Sequence, residues 1–205
     1  MATKSAIVSG MGLAMSIVTS LMKAVEKRGG TDEDVHRLAT PEGENLLVQI
    51  ADLIVGSTRQ AFKVVVDYTK SLAEMIEAGK YDWKNSDITQ EHFPVQGQGR
   101  EEKDVVLFHF GRYIFGRYIS SEDAIAEMAK AGYCPAQIQE LLALGAANPE
   151  LQKQFPIVAL GSAWQSPDGN RGVPYLFWSV RERDLDLSWF EFDWDEDYRF
   201  AAVRK

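Results

Sequence analysis

The chain closes on LDLSWFEFDWDEDYRFAAVRK, residues 185–205, where carboxylates and aromatic rings are crowded together. Asp193, Asp195 and Asp197 form D-x-D-x-D, the opening of an EF-hand calcium loop. That loop needs glycine at its sixth position for the sharp turn and glutamate at its twelfth. Tyr198 and Arg204 stand there instead, so the EF-hand is excluded. A weaker, differently built calcium site stays open as an alternative, and no metal ligand is assigned. His36, His92 and His109 are far apart in sequence, and the single cysteine, Cys134, excludes an internal disulfide and any cysteine-based zinc site. Ser162 in GSAW lies outside a G-x-S-x-G elbow. GRYIFGRY, residues 111–118, lacks the lysine and the helix start of a phosphate-binding loop, and its repeated G-R-Y marks bends beside strands. Carboxylate pairs are plentiful, yet no spacing singles out a glycosidase dyad. The residues give no catalytic constellation and imply no cofactor.

The aromatic residues point to recognition instead. Ten of the chain's 22 aromatic residues fall between Trp164 and Phe200. In DLDLSWF, Leu185, Leu187 and Trp189 alternate with Asp184, Asp186, Ser188 and Phe190, as on a strand with one buried face. In GVPYLFWSV, Val173, Tyr175, Phe177 and Ser179 share one face, and Pro174, Leu176, Trp178 and Val180 the other. Burying a large apolar side chain stabilises a fold by roughly 1.5–3 kcal/mol. A small domain has limited room for Tyr175, Phe177, Trp178, Phe192, Trp194 and Tyr198, so part of this set is expected on the surface. Exposed apolar patches among polar groups mark binding sites, and Tyr and Trp are favoured interface anchors. That these side chains are simply core remains the alternative.

The elements positioning these residues divide into two textures. Residues 1–80 read as helical, a small bundle or oligomerisation region. Helix one runs over 5–28, with Ile7, Met11, Ala14, Val18, Leu21 and Val25 spaced as an a/d seam, and stops at Gly29-Gly30. A targeting segment is the alternative reading of this apolar start. Thr31 caps a short helix with Asp34 in the reciprocal position. Thr40-Pro41 starts another, with Leu46, Leu47, Ile50, Leu53 and Ile54 on its apolar face. The pattern continues through Phe62, Val65, Val66 and Leu72 to Gly79, with a break at Gly56-Ser57. Residues 81–103 read as a linker or long loop. From 104 the order is β-α-α-β-β-β-β, one α+β domain. DVVLFHFGRYI is a strand, and Ser120 or Ser121 caps a helix ended by Gly132. Pro135 opens a second helix bearing Ile138, Leu141, Leu142 and Leu144. PIVALGSAW, GVPYLFWSV, DLDLSWFEF and YRFAAVRK are the closing strands.

At 205 residues and 45% hydrophobic, the chain has the composition of a globular protein with one sizeable core or two small ones. A net charge of −8 without a Lys/Arg-rich block makes it a poor nucleic-acid binder. The N-terminal apolar stretch is too short and too polar for a membrane span. A cytoplasmic location is favoured over export, and the N-terminal helices are a possible source of homo-oligomers.

LGSAWQ (160–165), RGVPYL (171–176), LDLSWF (185–190), Trp194 and the closing YRFAAVRK resemble the C-terminal end of diversity-generating-retroelement variable proteins. The resemblance covers roughly 104–205 and is best over 156–205. It implies a C-type lectin-like domain of the formylglycine-generating-enzyme subtype, in β-α-α-β-β-β order. In such proteins an error-prone reverse transcriptase rewrites adenine-derived codons near the end of the gene. Framework residues hold the scaffold while variable residues face a ligand. By position, Gly161, Trp164, Leu185, Leu187, Trp189, Arg199, Phe200 and Val203 look like framework. Asp168, Asn170, Tyr175, Phe177, Trp178, Asp186, Ser188, Glu191, Phe192, Asp193, Asp195, Asp197 and Tyr198 look like the variable, ligand-facing set, within a segment near 164–198. Trp178 departs, since its codon is not reachable from AAY. The enzymes of the subtype need active-site cysteines, and only Cys134 is present, so no enzymatic activity is expected. The tripeptides EPN, QPD and WND of calcium-dependent sugar binding are absent. The implied function is recognition of a macromolecular ligand, a protein, through a hypervariable surface; a structural or oligomerisation module is the alternative.

Overall fold

The computed structural model describes residues 4–44, 46, 47, 50, 61–110 and 118–205, the first eight of these by backbone alone. Leu53, Ile54, the Gly56-Ser57 break and GRYIFGR at 111–117 lie outside the described residues. The chain divides into two compact units, Met1–Thr58 and Arg59–Lys205.

In the first unit, helix α1 spans Lys4–Glu26 and α2 spans Asp32–His36, followed by 3-10 turns at Arg37–Ala39 and Pro41–Gly43. Gly29 stops α1 with φ +81°, a left-handed conformation that costs glycine little. The Asp34 carboxylate accepts from the Thr31 backbone N–H at 2.9 Å, closing the expected reciprocal cap. Among the described side chains of the a/d seam, Leu21 and Val25 are half-buried, while Ala14 and Val18 are exposed. No described helix is long and apolar enough to cross a membrane.

The second unit is α+β, built on one sheet. Its strands are β1 (Ala61–Asp67), β2 (Trp83–Lys84), β3 (Arg100–Phe108), β4 (Tyr133–Pro135), β5 (Ile157–Val158), β6 (Trp164–Gln165), β7 (Arg171–Ser179), β8 (Glu182–Trp189) and β9 (Arg199–Arg204). Its helices are α3 (Leu72–Gly79), α4 (Ser121–Lys130) and α5 (Ile138–Ala147). The strand order is β1-β3-β9-β5-β7-β8-β2, with β4 added on β9 and β6 on β7. The pairs β5–β9 and β2–β8 are parallel and the others antiparallel.

Three expectations are corrected. The helix expected through Phe62, Val65 and Val66 is strand β1, paired with β3 from Ala61↔Val106 to Asp67↔Arg100. Val64 and Val66 point into the core while Val65 is exposed, a period of two that suits three consecutive β-branched residues better than a helix. Helix resumes only at Leu72, where Ser71 and Glu74 form a capping box. The segment 81–103 is not a linker: it supplies β2 and the start of β3, and it buries Ile88 and Phe93 in the core. Pro135 closes β4 rather than opening a helix, and α5 starts at Ile138.

The sheet is apolar on both faces. One face carries Val64, Val105, Ile157, Leu176, Leu185 and Ala201, covered by Leu72, Ile76, Leu141 and Leu144 of α3 and α5. The other carries Val106, Phe108, Val158, Val173, Phe200 and Ala202 under Ala124 and Met128 of α4, together with Trp194. The first cover extends to β8 and the second stops near the middle of β7. Residues of β7 and β8 on the second face are therefore left at the margin of the core.

Candidate ligand-binding face

Strands β7 and β8 form a hairpin whose register runs from Gly172↔Trp189 to Ser179↔Glu182. The connecting pair Val180 and Arg181 has φ +43° and +76°, the left-handed backbone that two-residue hairpin turns require. Side chains alternate across the hairpin, so the register fixes their neighbours. Leu176 and Leu185 pair on the buried face. On the opposite face Val173 pairs with Ser188, Tyr175 with Asp186, and Phe177 with Asp184. Strand β2 lies parallel to β8 and extends these rows, with Trp83 beside Asp184.

The face so built is aromatic and acidic. The Tyr175 and Phe177 rings stack at 4.9 Å between centroids and 14° between planes, and Tyr198 approaches Tyr175 at 6.5 Å. Tyr175, Phe177, Asp186, Ser188 and Tyr198 are each half-buried. Asp186 Oδ1 accepts from Asn85 Nδ2 at 2.7 Å and from the Leu187 backbone N–H at 2.8 Å, which fixes its orientation. Burial raises the Tyr175 hydroxyl pKa, and the nearby Asp186, Tyr198 and Asp184 raise it further. Tyr198 is raised by burial and then by Asp195 and Asp197. Asp184 is 7% exposed, and its carboxyl is held above the usual carboxylate range by burial, then by Glu182, Asp186 and Asp82.

The remaining expected ligand residues fall in other places. Asp168 and Asn170 are exposed in the β6–β7 turn, where Asp168 accepts from the Ser166 hydroxyl and from Asn170 Nδ2. Glu191, Phe192 and Asp193 are exposed just beyond β8, at the same end of the hairpin as that turn. Glu191 is held by Arg171, whose Nε donates at 2.7 Å; that hydrogen bond keeps the Glu191 carboxyl below its ordinary range. Asp195 accepts from the Asp197 backbone N–H at 2.9 Å, making a local turn. Among the described residues no three His, Cys, Asp or Glu side chains are placed to hold a metal ion. Trp178 lies on the other face of β7, away from Tyr175 and Phe177, with Lys153 Nζ 4.8 Å from its ring centroid. An odd–even offset on a strand dictates this placement, so Trp178 does not join the face.

Scaffold residues surround these positions. Trp194 is 2% exposed and donates its indole N–H to Ser121 Oγ at 2.8 Å, and Ser121 donates to the Phe190 carbonyl at 2.7 Å. Arg199 Nη1 donates to the carbonyls of Glu196, Asp197 and Tyr198, holding the turn that precedes Tyr198. Gly161 backs onto the backbone of Pro135 and Ala136, where a Cβ would meet the Pro135 carbonyl oxygen at 2.5 Å. Leu185, Phe200 and Val203 are buried, and Trp164 stacks on His92 at 4.3 Å.

Three members of the face were not singled out by the sequence: Trp83, Asn85 and Asp184. Trp83 and Asn85 come from a turn-rich stretch and reach the face only through the parallel β2–β8 pairing. A tryptophan in an otherwise polar segment was the available signal. Asp184 reads in sequence as one more polar residue of an alternating strand, and its burial appears only in the folded chain, where Trp83 and Phe177 are its register partners.

The arrangement offers π-faces, carboxylates and a side-chain amide on rigid strands, which suits non-covalent recognition by ring contact and hydrogen bonding. Comparison with protein-family models, with curated proteins and with solved structures found no match for this chain.

Proposed function

We propose that this chain is the ligand-binding variable protein of a diversity-generating retroelement, its second unit a C-type lectin-like domain that recognises a protein ligand rather than performing catalysis. The observation that carries the reading is the division of labour within the β7–β8 hairpin. Leu176 and Leu185 are fully buried on one face, while Tyr175, Phe177, Asp186 and Ser188 stand together on the other beside Tyr198. Substitutions on the second face can change a ligand contact without touching the principal core, which is what diversification demands. From β3 onward the order is β3-α4-β4-α5 followed by β5 to β9; apart from the short β4 between the helices it follows the expected β-α-α-β-β-β order, and to that extent it supports the lectin-like assignment.

Two measurements test the proposal. Sequencing around the gene should show a reverse transcriptase and a near-copy of the 3′ end differing at adenines; finding neither would sink the retroelement reading. Peptides selected from a random display library on the full chain should lose about tenfold or more in affinity with Tyr175→Ala or Phe177→Ala, as truncated aromatic anchors do. Selected peptides indifferent to both substitutions would remove the face from the account.

A second reading concerns the first unit. Leu13, Met15, Ile17 and Val18 of α1 are exposed at 45–66%. Assembly of copies through this helix accounts for that apolar surface. Sedimentation of the full chain with Val18→Asp should then show a smaller species than the unsubstituted chain.

A further inference from the structure

We propose that the face has a cation subsite at Asp184, which takes the ammonium or guanidinium group of a lysine or arginine side chain on the protein ligand; this rests on the ligand-binding reading above. The register sets Asp184 between Trp83 on β2 and Phe177 on β7, all three on one face. Asp184 is 93% buried, and its Oδ1 has no hydrogen-bond partner among the described residues. Its neighbour Asp186 differs in this respect, having both Asn85 and the Leu187 N–H on one oxygen. A buried carboxylate oxygen left unpaired carries its full desolvation cost, so a group that supplies N–H donors and positive charge gains more here than at a satisfied carboxylate.

The surroundings select for an organic cation. The charges that act on Asp184 are Glu182, Asp186 and Asp82, all acidic. The nearest arginine in sequence, Arg183, is committed to the other face, where it donates to the carbonyls of Gly79 and Gly145 and lies 5.1 Å from the Tyr81 ring. Flanking rings attract cations through their negative π-faces and exclude water, which strengthens the ion pair. Trp83, 46% exposed, is the most solvent-accessible of the three residues and sets the side from which the subsite would be approached. A metal ion is disfavoured because no third ligand of His, Cys, Asp or Glu type converges among the described residues.

The test uses the full chain and three probes of matched size: N-acetyl-lysine methylamide, N-acetyl-arginine methylamide and N-acetyl-norleucine methylamide. The Trp83 indole N–H is followed by NMR, assigned with Trp83→Phe. The basic probes are expected to shift this signal saturably, and norleucine to leave it in place. Asp184→Asn, read from the same signal, should weaken the basic probes by about tenfold or more, since it removes one member of a charge pair. Trp83→Leu, at an exposed position, checks the ring contribution through the Asp184 side-chain carboxyl carbon signal, and should also weaken them. Equal response to norleucine, no response to any probe, or unchanged affinity in Asp184→Asn would each overturn the subsite. The two readings fail separately: selected peptides that need Tyr175 and Phe177 but carry no basic residue leave the binding face standing and remove the subsite. Basic probes that bind Asp184, with no selected peptide dependent on Tyr175 or Phe177, do the reverse.

Discussion

Ser121→Ala asks whether the loop between β8 and β9 is scaffold or cargo. The Ser121 hydroxyl is fully buried and joins two otherwise distant groups, accepting from the Trp194 indole N–H at 2.8 Å and donating to the Phe190 carbonyl at 2.7 Å. Alanine removes one oxygen and leaves both groups without these partners. Each unsatisfied buried polar group costs about 1–3 kcal/mol, so the pair should cost about 2–6 kcal/mol. That is a large share of the 5–15 kcal/mol typical of a whole domain. Trp194→Phe removes the indole donor, so Ser121→Ala in that background strands only the carbonyl and should cost about half as much. A coupling energy of about 1–3 kcal/mol follows from the cycle. Native-state hydrogen exchange at Leu176, Leu185 and Ala201, buried strand positions, reads the opening free energy of the second unit without relying on tryptophan fluorescence. A loss below about 0.5 kcal/mol, or the same loss in both backgrounds, would refute the claim that this bridge pins the loop.

Gly161→Ala should destabilise the second unit by about 1–3 kcal/mol in the same exchange measurement, because its Cβ would meet the Pro135 and Ala136 carbonyl oxygens at 2.5 and 2.6 Å. Phe192→Ala should stay within about 0.5 kcal/mol of the parent, since Phe192 is 59% exposed beyond the end of β8. Replacing Val180-Arg181 by Asn-Gly should stabilise by about 1–2 kcal/mol, as both positions hold left-handed backbone that a β-branched residue tolerates poorly. Asp184→Asn has a pH signature. The folded carboxyl binds its proton more tightly than the unfolded one, so the parent loses stability as pH rises from the ordinary carboxylate pKa through the raised folded value. The asparagine variant should therefore be the more stable above that window, with the difference vanishing on acidification; a difference independent of pH would show that the carboxyl is not the cause.

Local patterns fixed by chemistry within a few residues were legible in the chain. The strands β7 and β8 follow from period-two alternation, and α4 follows from the Ser120 cap, whose side chain accepts from the Asp123 N–H at 3.1 Å, and from Gly132 at φ +83°. Even the exclusion of Trp178 from the face is written in its odd–even offset from Tyr175 and Phe177. The valine run of β1 was not legible, because a short apolar stretch satisfies helix and strand spacing alike until a partner strand offers its hydrogen bonds. The face itself was half legible. The alternation placed Tyr175, Phe177, Asp186 and Ser188 on one side of their strands, since neighbours two residues apart must share a face. Only tertiary pairing brings Trp83 and Asn85 in from a stretch whose turn formers and weak periodicity carry no strand signal. Burial of Asp184 was likewise a tertiary outcome: a carboxylate's solvation depends on which rings stand beside it, and β2 and β7 are set beside β8 by long-range strand pairing.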